Sequence, residues 1–299
     1  MTLDIPEQYL AAIQQTYPRL SLDHLQINHD GMNNDVVVIN QTLVCRFQKT
    51  DAARRAIANE IAVLNLLQGR MRVRIPAFEE ITDTFVSYRY IAGAPLSRNM
   101  LLRMQNPDRS QVMGQLRDFF SDLHHVSESE TNAGNVQESA AQRTTEQMLV
   151  FYSKVQEQLY SRLWRHQRRW IDELFEPLVS EKLQLNTSIS LIHGDLSSYH
   201  ILYDSDISTI NGVIDFGTAG VGSQAVDLAC LIDTYGESLA RQIIPRDTYT
   251  ANTIDEARFR AGVLWLEWAL IGLEHGDTDM LMAHIGHSAR DLMPHGSTW

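Results

Sequence analysis

Two apolar runs that break off into polar clusters, "SISLIHGDLSSYH" and "NGVIDFG", constrain this chain most. Each run is short enough for a strand and ends in residues that a core would reject. His193, Gly194 and Asp195 close the first, and Asp215, Phe216 and Gly217 close the second. The stretch "HILYD" reads as a further short strand between them. A carboxylate leaving a buried strand into a glycine turn projects into a cleft. If these strands pair, Asp195, His200 and Asp215 converge. The fold must then bring strand ends from the last third of the chain to one polar cleft.

The rest of the chain changes character once before that point. "DVVVI" and "TLVCRF" are β-rich runs on either side of a turn-like "NQ" and predict a hairpin. "DAARRAIANEIAVLNLLQGR" follows with Ile57, Ala58, Ile61, Ala62 and Leu64 at helical spacing and Gly69 as its stop. "IPAFEEITDTFVSYRYIAGAPL" predicts another pair of strands. From about residue 98 to 190 the periodicity is helical, interrupted by "SESETNAGNVQESAAQ", a polar loop or short solvated helix. Helical periodicity returns after the second polar cluster, up to "DEARFRAGVLWLEWALIGLEHG". The expected class is α+β, with a small β-rich lobe over 1–92 and a large, mainly helical lobe over 93–299. The Gly and Pro of "IAGAPL" suit the connector.

Composition narrows the function. With 299 residues the chain makes one large or two modest domains. Its 37 acidic against 25 basic side chains give a formal charge of −12, which excludes a general electrostatic footprint on nucleic acid. An acidic surface suits a cationic small substrate or serves solubility alone. Cys45 and Cys230 are far apart between apolar neighbours and predict buried free thiols. No signal-like N-terminus and no run near ~20 apolar residues occurs, so a cytoplasmic location and no membrane partner are expected.

Phosphoryl transfer needs a carboxylate to orient the attacking hydroxyl, hard ligands for Mg²⁺, a cation on the phosphates and a backbone cradle over them. Asp195 can accept the hydroxyl's proton. Asp215 suits Mg²⁺, and His200 could add an imidazole ligand, although nitrogen is softer than Mg²⁺ prefers. A zinc deaminase lacks support because no "PCxxC" accompanies the histidine. A serine hydrolase lacks its "GxSxG" elbow.

The tandem "HGDLSSYH" and "VIDFG" resembles the antibiotic phosphotransferases, kinases of aminoglycosides and macrolides that share the protein-kinase-like two-lobe fold. Most of the chain takes part, with the motifs in family order. Where the kinase catalytic loop ends in Asn, this chain has His200, as the aminoglycoside 2''- and macrolide 2'-phosphotransferase branches do. The aminoglycoside 2''-phosphotransferases are the branch it looks most like. The resemblance implies that Asp195 is the catalytic base and that His200 and Asp215 bind the metal. It makes Arg46, in "TLVCRFQK", the phosphate contact in place of the usual lysine, with Glu60 as its acidic partner. Arginine is not a neutral exchange there, because its planar fork is bulkier than an ammonium. Gly31, Met32, Asn33 and Asn34 would cover the phosphates, and Tyr90, Ile91 and Gly93 would meet the base. ATP and GTP both remain open. His193 is expected to scaffold the loop and Asp227, in "SQAVDLACLID", to steady it.

The acceptor site is expected in the helical part after Asp215. The spacing places Asp233 and Glu237, four apart, on one helical face, and Glu267 sits between Trp265 and Trp268. Aromatic walls with a carboxylate would suit an amphiphilic pocket. The acidic balance favours a polycationic aminoglycoside over an apolar macrolide. A metabolic kinase for choline, a sugar or homoserine, and a catalytically silent binding protein, stay open. A monomer is expected.

Overall fold

The computed structural model describes residues 5–29, 31, 33–244 and 248–285. A helix, α1 (Glu7–Thr16), opens the chain. It precedes strands β1 (Leu25–Asn28), β2 (Asn34–Ile39) and β3 (Leu43–Gln48), then helix α2 (Asp51–Leu67) and strands β4 (Phe78–Ile81) and β5 (Phe85–Arg89). The strands form one antiparallel sheet in the order β1-β2-β3-β5-β4. The expected hairpin is β2–β3, and the expected α+β class holds. Helix α1 carries no counterpart in the strand reading of this region. Its Ile13 is fully buried against Val37, Ile39, Cys45 and Phe85, and Tyr9 stacks on Phe47 at 3.9 Å.

Period two then decides where Arg46 points. Leu43, Cys45 and Phe47 face α1, so Arg46 faces the opposite side, toward α2. Thr50 caps α2 by accepting the Ala53 N–H. The buried stripe of α2 is Glu60, Val63, Leu64 and Leu67, rotated from the Ile57–Ile61 face that the sequence suggests. Its apolar members enter the main core of the larger lobe.

Residues 90–93 lead into β6 (Ala94–Pro95), followed by α3 (Arg98–Arg103), α4 (Asp108–His124), α5 (Glu128–Ala133), α6 (Thr145–Leu159) and α7 (Arg165–Val179). Strands β7 (Ile189–Ile192), β8 (Ile201–Asp204), β9 (Thr209–Val213) and β10 (Gly220–Ser223) come next. Helices α8 (Gln224–Tyr235), α9 (Glu237–Ile243), α10 (Ala251–His275) and α11 (Thr278–Ile285) complete the description. β8 pairs with β9 and β6, whereas β7 pairs with β10 instead of either neighbour in sequence. Helix α4 supplies Leu116, Phe119 and Leu123 to a core shared with β7, β9, α8 and α10. A second cluster joins α6, α7 and α10 from Phe259 onward. The polar ends of β7 and β9 are thereby held on a rigid base.

Candidate active site

The loop after β7 is built on a buried carboxylate. Asp227, near the start of α8, is fully buried. Its Oδ1 accepts the Gly194 N–H at 2.8 Å, and its Oδ2 accepts the His193 N–H at 3.0 Å. Oδ2 also lies 3.0 Å from His124 Nε2, whose ring is backed by the Tyr249 hydroxyl at 2.8 Å. Gly194 has φ +82°, and a Cβ there would press on Ser139 Oγ at 2.9 Å and on the Thr218 carbonyl at 3.0 Å. Only glycine makes that turn without strain. The His193 ring donates from Nε2 to the Ile214 carbonyl at 3.1 Å and accepts the Asp195 N–H at Nδ1. Burial, against the pull of Asp227, pushes this imidazole below its ordinary pKa. One neutral ring thus ties the Asp195 backbone to the segment that carries Asp215.

Burial would raise the Asp227 carboxyl, but the hydrogen bond and charge of His124, with His193 and the Gly194 N–H, hold it below its ordinary range. A depressed carboxyl adds stability that is complete above its unfolded pKa, about 4, and is lost as pH falls through the lower folded value. The stability gap between the wild type and Asp227→Asn should therefore be wide at neutral pH and narrow below about pH 4. Denaturation midpoints between neutral and acid pH check this, and a gap independent of pH would contradict it.

Asp195 emerges from the loop with its side chain 54 % exposed. The turn Ser198–His200 follows and brings His200 back over it. His200 Nδ1 lies 2.6 Å from the Asp195 carbonyl. A carbonyl only accepts, so Nδ1 carries the hydrogen, and in the neutral ring Nε2 holds a lone pair. That nitrogen is 3.5 Å from Asp215 Oδ2. Both atoms can donate an electron pair to a cation placed between them.

Asp215 has left-handed backbone angles, φ +65° and ψ +64°, a conformation that Asp tolerates better than most residues. Burial would raise its carboxyl, but Arg46, His200, His193 and the Gly217 N–H hold it below its ordinary range. Arg46 and Glu60 form a buried two-bond pair, Nη1–Oε1 2.6 Å and Nη2–Oε2 3.0 Å. Glu60 outweighs the effect of burial and raises Arg46 above its ordinary range. A Cβ built on Gly217 would lie 3.4 Å from Asp215 Oδ1, 3.8 Å from Glu60 Oε2 and 3.9 Å from Arg46 Nη2. The glycine turn, α2 and β3 therefore meet at one point.

The donor set fits a hard divalent ion completed by phosphate oxygens. Among the described residues no group of three or more His, Cys, Asp or Glu side chains could hold a metal unaided. Mg²⁺ commonly takes one or two carboxylates and fills its octahedron with phosphates and water. Asp215, 45 % exposed, and His200 Nε2 offer that partial set.

Of the residues expected to cover the phosphates, Gly31 and Asn33 are exposed before β2, and Asn34 begins it. Met32 lies outside the described residues. Lys49 donates to the His29 and Gly31 carbonyls at 2.6 and 2.8 Å and pairs with Asp35, which places it on the loop and away from Arg46. In the connector, the Tyr90 N–H bonds Thr42, Ile91 is buried, and Gly93 enters β6 at φ +144°.

The expected acceptor residues divide. Asp233 is exposed on α8 and accepts the Trp265 indole N–H. Glu237 is a correction: Gly236, at φ +81°, ends α8, so the two carboxylates do not share a helical face. Glu237 is 1 % exposed and bonds Arg258 at 2.7 Å, so its charge is already neutralised. Trp265 is a second correction, since its ring is buried and stacks on Trp170 at 5.8 Å. Its hold on Asp233 replaces the expected pocket wall. Glu267 is paired with Arg143, and Trp268 is 37 % exposed beside His284. His124, Tyr249 and Ser139 support the loop without any sign in the sequence motifs. Both cysteines are buried free thiols, as expected.

A small antiparallel lobe over a helical one, with an Asp loop and an Asp-Phe-Gly turn between them, defines a kinase-like phosphoryl-transfer cleft. Residues 24–261 match the phosphotransferase enzyme family, APH, and the chain belongs to that family. It is accordingly an enzyme that passes phosphate to a hydroxyl acceptor. Viomycin phosphotransferase of Streptomyces vinaceus is 26 % identical over 268 residues, covering 85 % of this chain and 88 % of the relative. The uncharacterized protein YcbJ of Bacillus subtilis (strain 168) is 23 % identical over 239 residues, 74 % of each chain. Among solved structures, the GDP and kanamycin complex of APH(2")-IIIa superposes with a TM-score of 0.82 at 23 % identity, over 94 % of this chain and 96 % of the other. Macrolide 2'-phosphotransferase MphH from Brachybacterium faecium reaches 0.64 at 18 % identity, over 94 % and 97 %.

Proposed function

We propose that this enzyme moves the γ-phosphoryl group of ATP or GTP onto a hydroxyl of an aminoglycoside-type antibiotic, with Asp195 as base. The observation that carries the reading is the convergence of Asp195, His200 and Asp215 beside the buried Arg46–Glu60 pair. Asp195 accepts the acceptor's proton from an exposed position that a substrate can reach. Asp215 and His200 Nε2 would hold Mg²⁺, which when bound supplies positive charge to the phosphate oxygens. Arg46, charged and held by Glu60, faces the phosphates. Gly31, Asn33 and Asn34 cover them with backbone N–H groups, and residues 90–93 receive the base. His193 and Asp227 keep the loop in register.

The exposed Asp233 carboxylate, fixed by Trp265, supports an acceptor that carries ammonium groups. The kanamycin complex and the viomycin enzyme among the relatives support an antibiotic acceptor. Purified protein with Mg²⁺ and ATP or GTP should consume nucleotide in proportion to an added aminoglycoside and yield a product heavier by one phosphate. Mass spectrometry of a panel of aminoglycosides, viomycin, macrolides and small hydroxylated metabolites reads this out. Phosphorylation of a macrolide or a metabolite alone would move the acceptor assignment, and no phosphorylated product from any of them would overturn it.

A further inference from the structure

Asn59, the residue before Glu60 on α2, uses both ends of its amide. Its Nδ2 donates to the Ala219 carbonyl at 2.8 Å, and its Oδ1 accepts the Gln137 N–H at 2.7 Å. Ala219 directly follows the Phe216–Thr218 turn that Asp215 opens. Gln137 belongs to the polar stretch between α5 and α6, which runs as a strap beside β10. There the Val221 N–H bonds Gln137 O and the Ser139 N–H bonds Val221 O, each at 2.9 Å. Ser139 Oγ donates to Thr218 O at 2.7 Å, and Ser223 N donates to Gln142 Oε1 at 3.0 Å. A Cβ on Gly220 would lie 2.6 Å from Gln137 O, so the strap and β10 touch backbone to backbone. The expected short helix is α5, and the residues after it run along β10 with Val136 and Ser139 buried.

Three segments from distant parts of the chain thus meet on one side chain: α2, the strap and the exit of the Asp-Phe-Gly turn. An amide meets both demands because it donates and accepts at once. We infer that Asn59 is a positioning residue for the nucleotide phosphates. It fixes the distance between Glu60 on α2 and Asp215, and so the placement of the Arg46 guanidinium between them. The inference rests on the reading of Arg46 as a phosphate contact. It gives the strap a task on the nucleotide side.

Two variants separate hydrogen bonding from volume. Asn59→Ala removes both bonds. Asn59→Asp keeps the shape and the acceptor for Gln137 but turns an acceptor toward the Ala219 carbonyl. Both should raise the nucleotide KM roughly tenfold, equivalent to about 1.4 kcal/mol, with the acceptor KM within about twofold. Arg70→Ala removes only the exposed tie to Glu130 and should behave as wild type. Wild-type nucleotide KM in both Asn59 variants would overturn the inference, as would equal rises in nucleotide and acceptor KM. Hydrogen exchange on the full chain gives an arm independent of activity. In Asn59→Ala the amides of Gln137, Glu60 and the turn after Asp215 should exchange faster, and unchanged exchange there overturns the pin. A wild type that neither binds nor turns over nucleotide would count against the proposed function, while the exchange arm still decides the pin.

Discussion

Asp195→Asn should lower turnover by about 10²–10⁴-fold, the range that general base catalysis contributes, and leave nucleotide KM nearly unchanged. The exchange is close to isosteric. The backbone at this position is held by the His193 ring and by the neighbouring Asp227 contacts, none of which involves the Asp195 carboxylate. That carboxylate is more than half exposed, and the closest ion-pair partner is His200 Nδ1 at 3.9 Å. Removing its charge therefore leaves no buried group without a partner, and thermal stability should hold. On the proposed reading, what disappears is the ability to accept the hydroxyl's proton. A loss confined to kcat marks an interaction made only in the transition state. Steady-state kinetics with nucleotide and acceptor varied separately check this, beside a melting curve. Activity above about one tenth of wild type would remove Asp195 from the role of base.

The half of the site that is local in the chain was legible. "HGDLSSYH" and "VIDFG" announce themselves because polar residues interrupt apolar runs, and the β2–β3 hairpin and α2 follow from periodicity. The other half comes from residues that look ordinary where they stand. His124 lies on a helix whose stripe of leucines and phenylalanines explains the segment without it. Asn59 belongs to no motif and lies beside the apolar stripe of its helix. Only the tertiary structure brings the Asp227 carboxylate and the Ala219 carbonyl to them. β7 pairs with β10 across a long separation, and four-residue strands carry too little pattern to choose a partner. Helix α1 is short, and only its burial against the sheet marks it as part of the lobe. Spacing misled at Glu237 because the helix was read through Gly236. At Trp265 an indole was read as a surface when its N–H is the part in use.

Glu60→Ala should destabilise the fold by about 3–5 kcal/mol, because it strands a buried guanidinium. Domains of this size hold only about 5–15 kcal/mol in total, so this variant alone cannot separate stability from catalysis. The double replacement Arg46→Met with Glu60→Leu can. Both side chains are buried and bind each other through two hydrogen bonds. Two apolar side chains of similar volume remove the desolvation cost along with the attraction, which is often neutral or stabilising. The pair should regain most of the stability lost in Glu60→Ala while the nucleotide site stays impaired. Arg46→Lys tests the geometry separately, since an ammonium keeps the charge but cannot form the two-pronged bond to Glu60. It should fold less stably than wild type and retain more activity than the apolar pair. Denaturant titrations give the stabilities, and nucleotide affinity by calorimetry gives the functional half. An apolar pair that binds nucleotide as tightly as wild type would show that Arg46 and Glu60 serve the fold and not the phosphates.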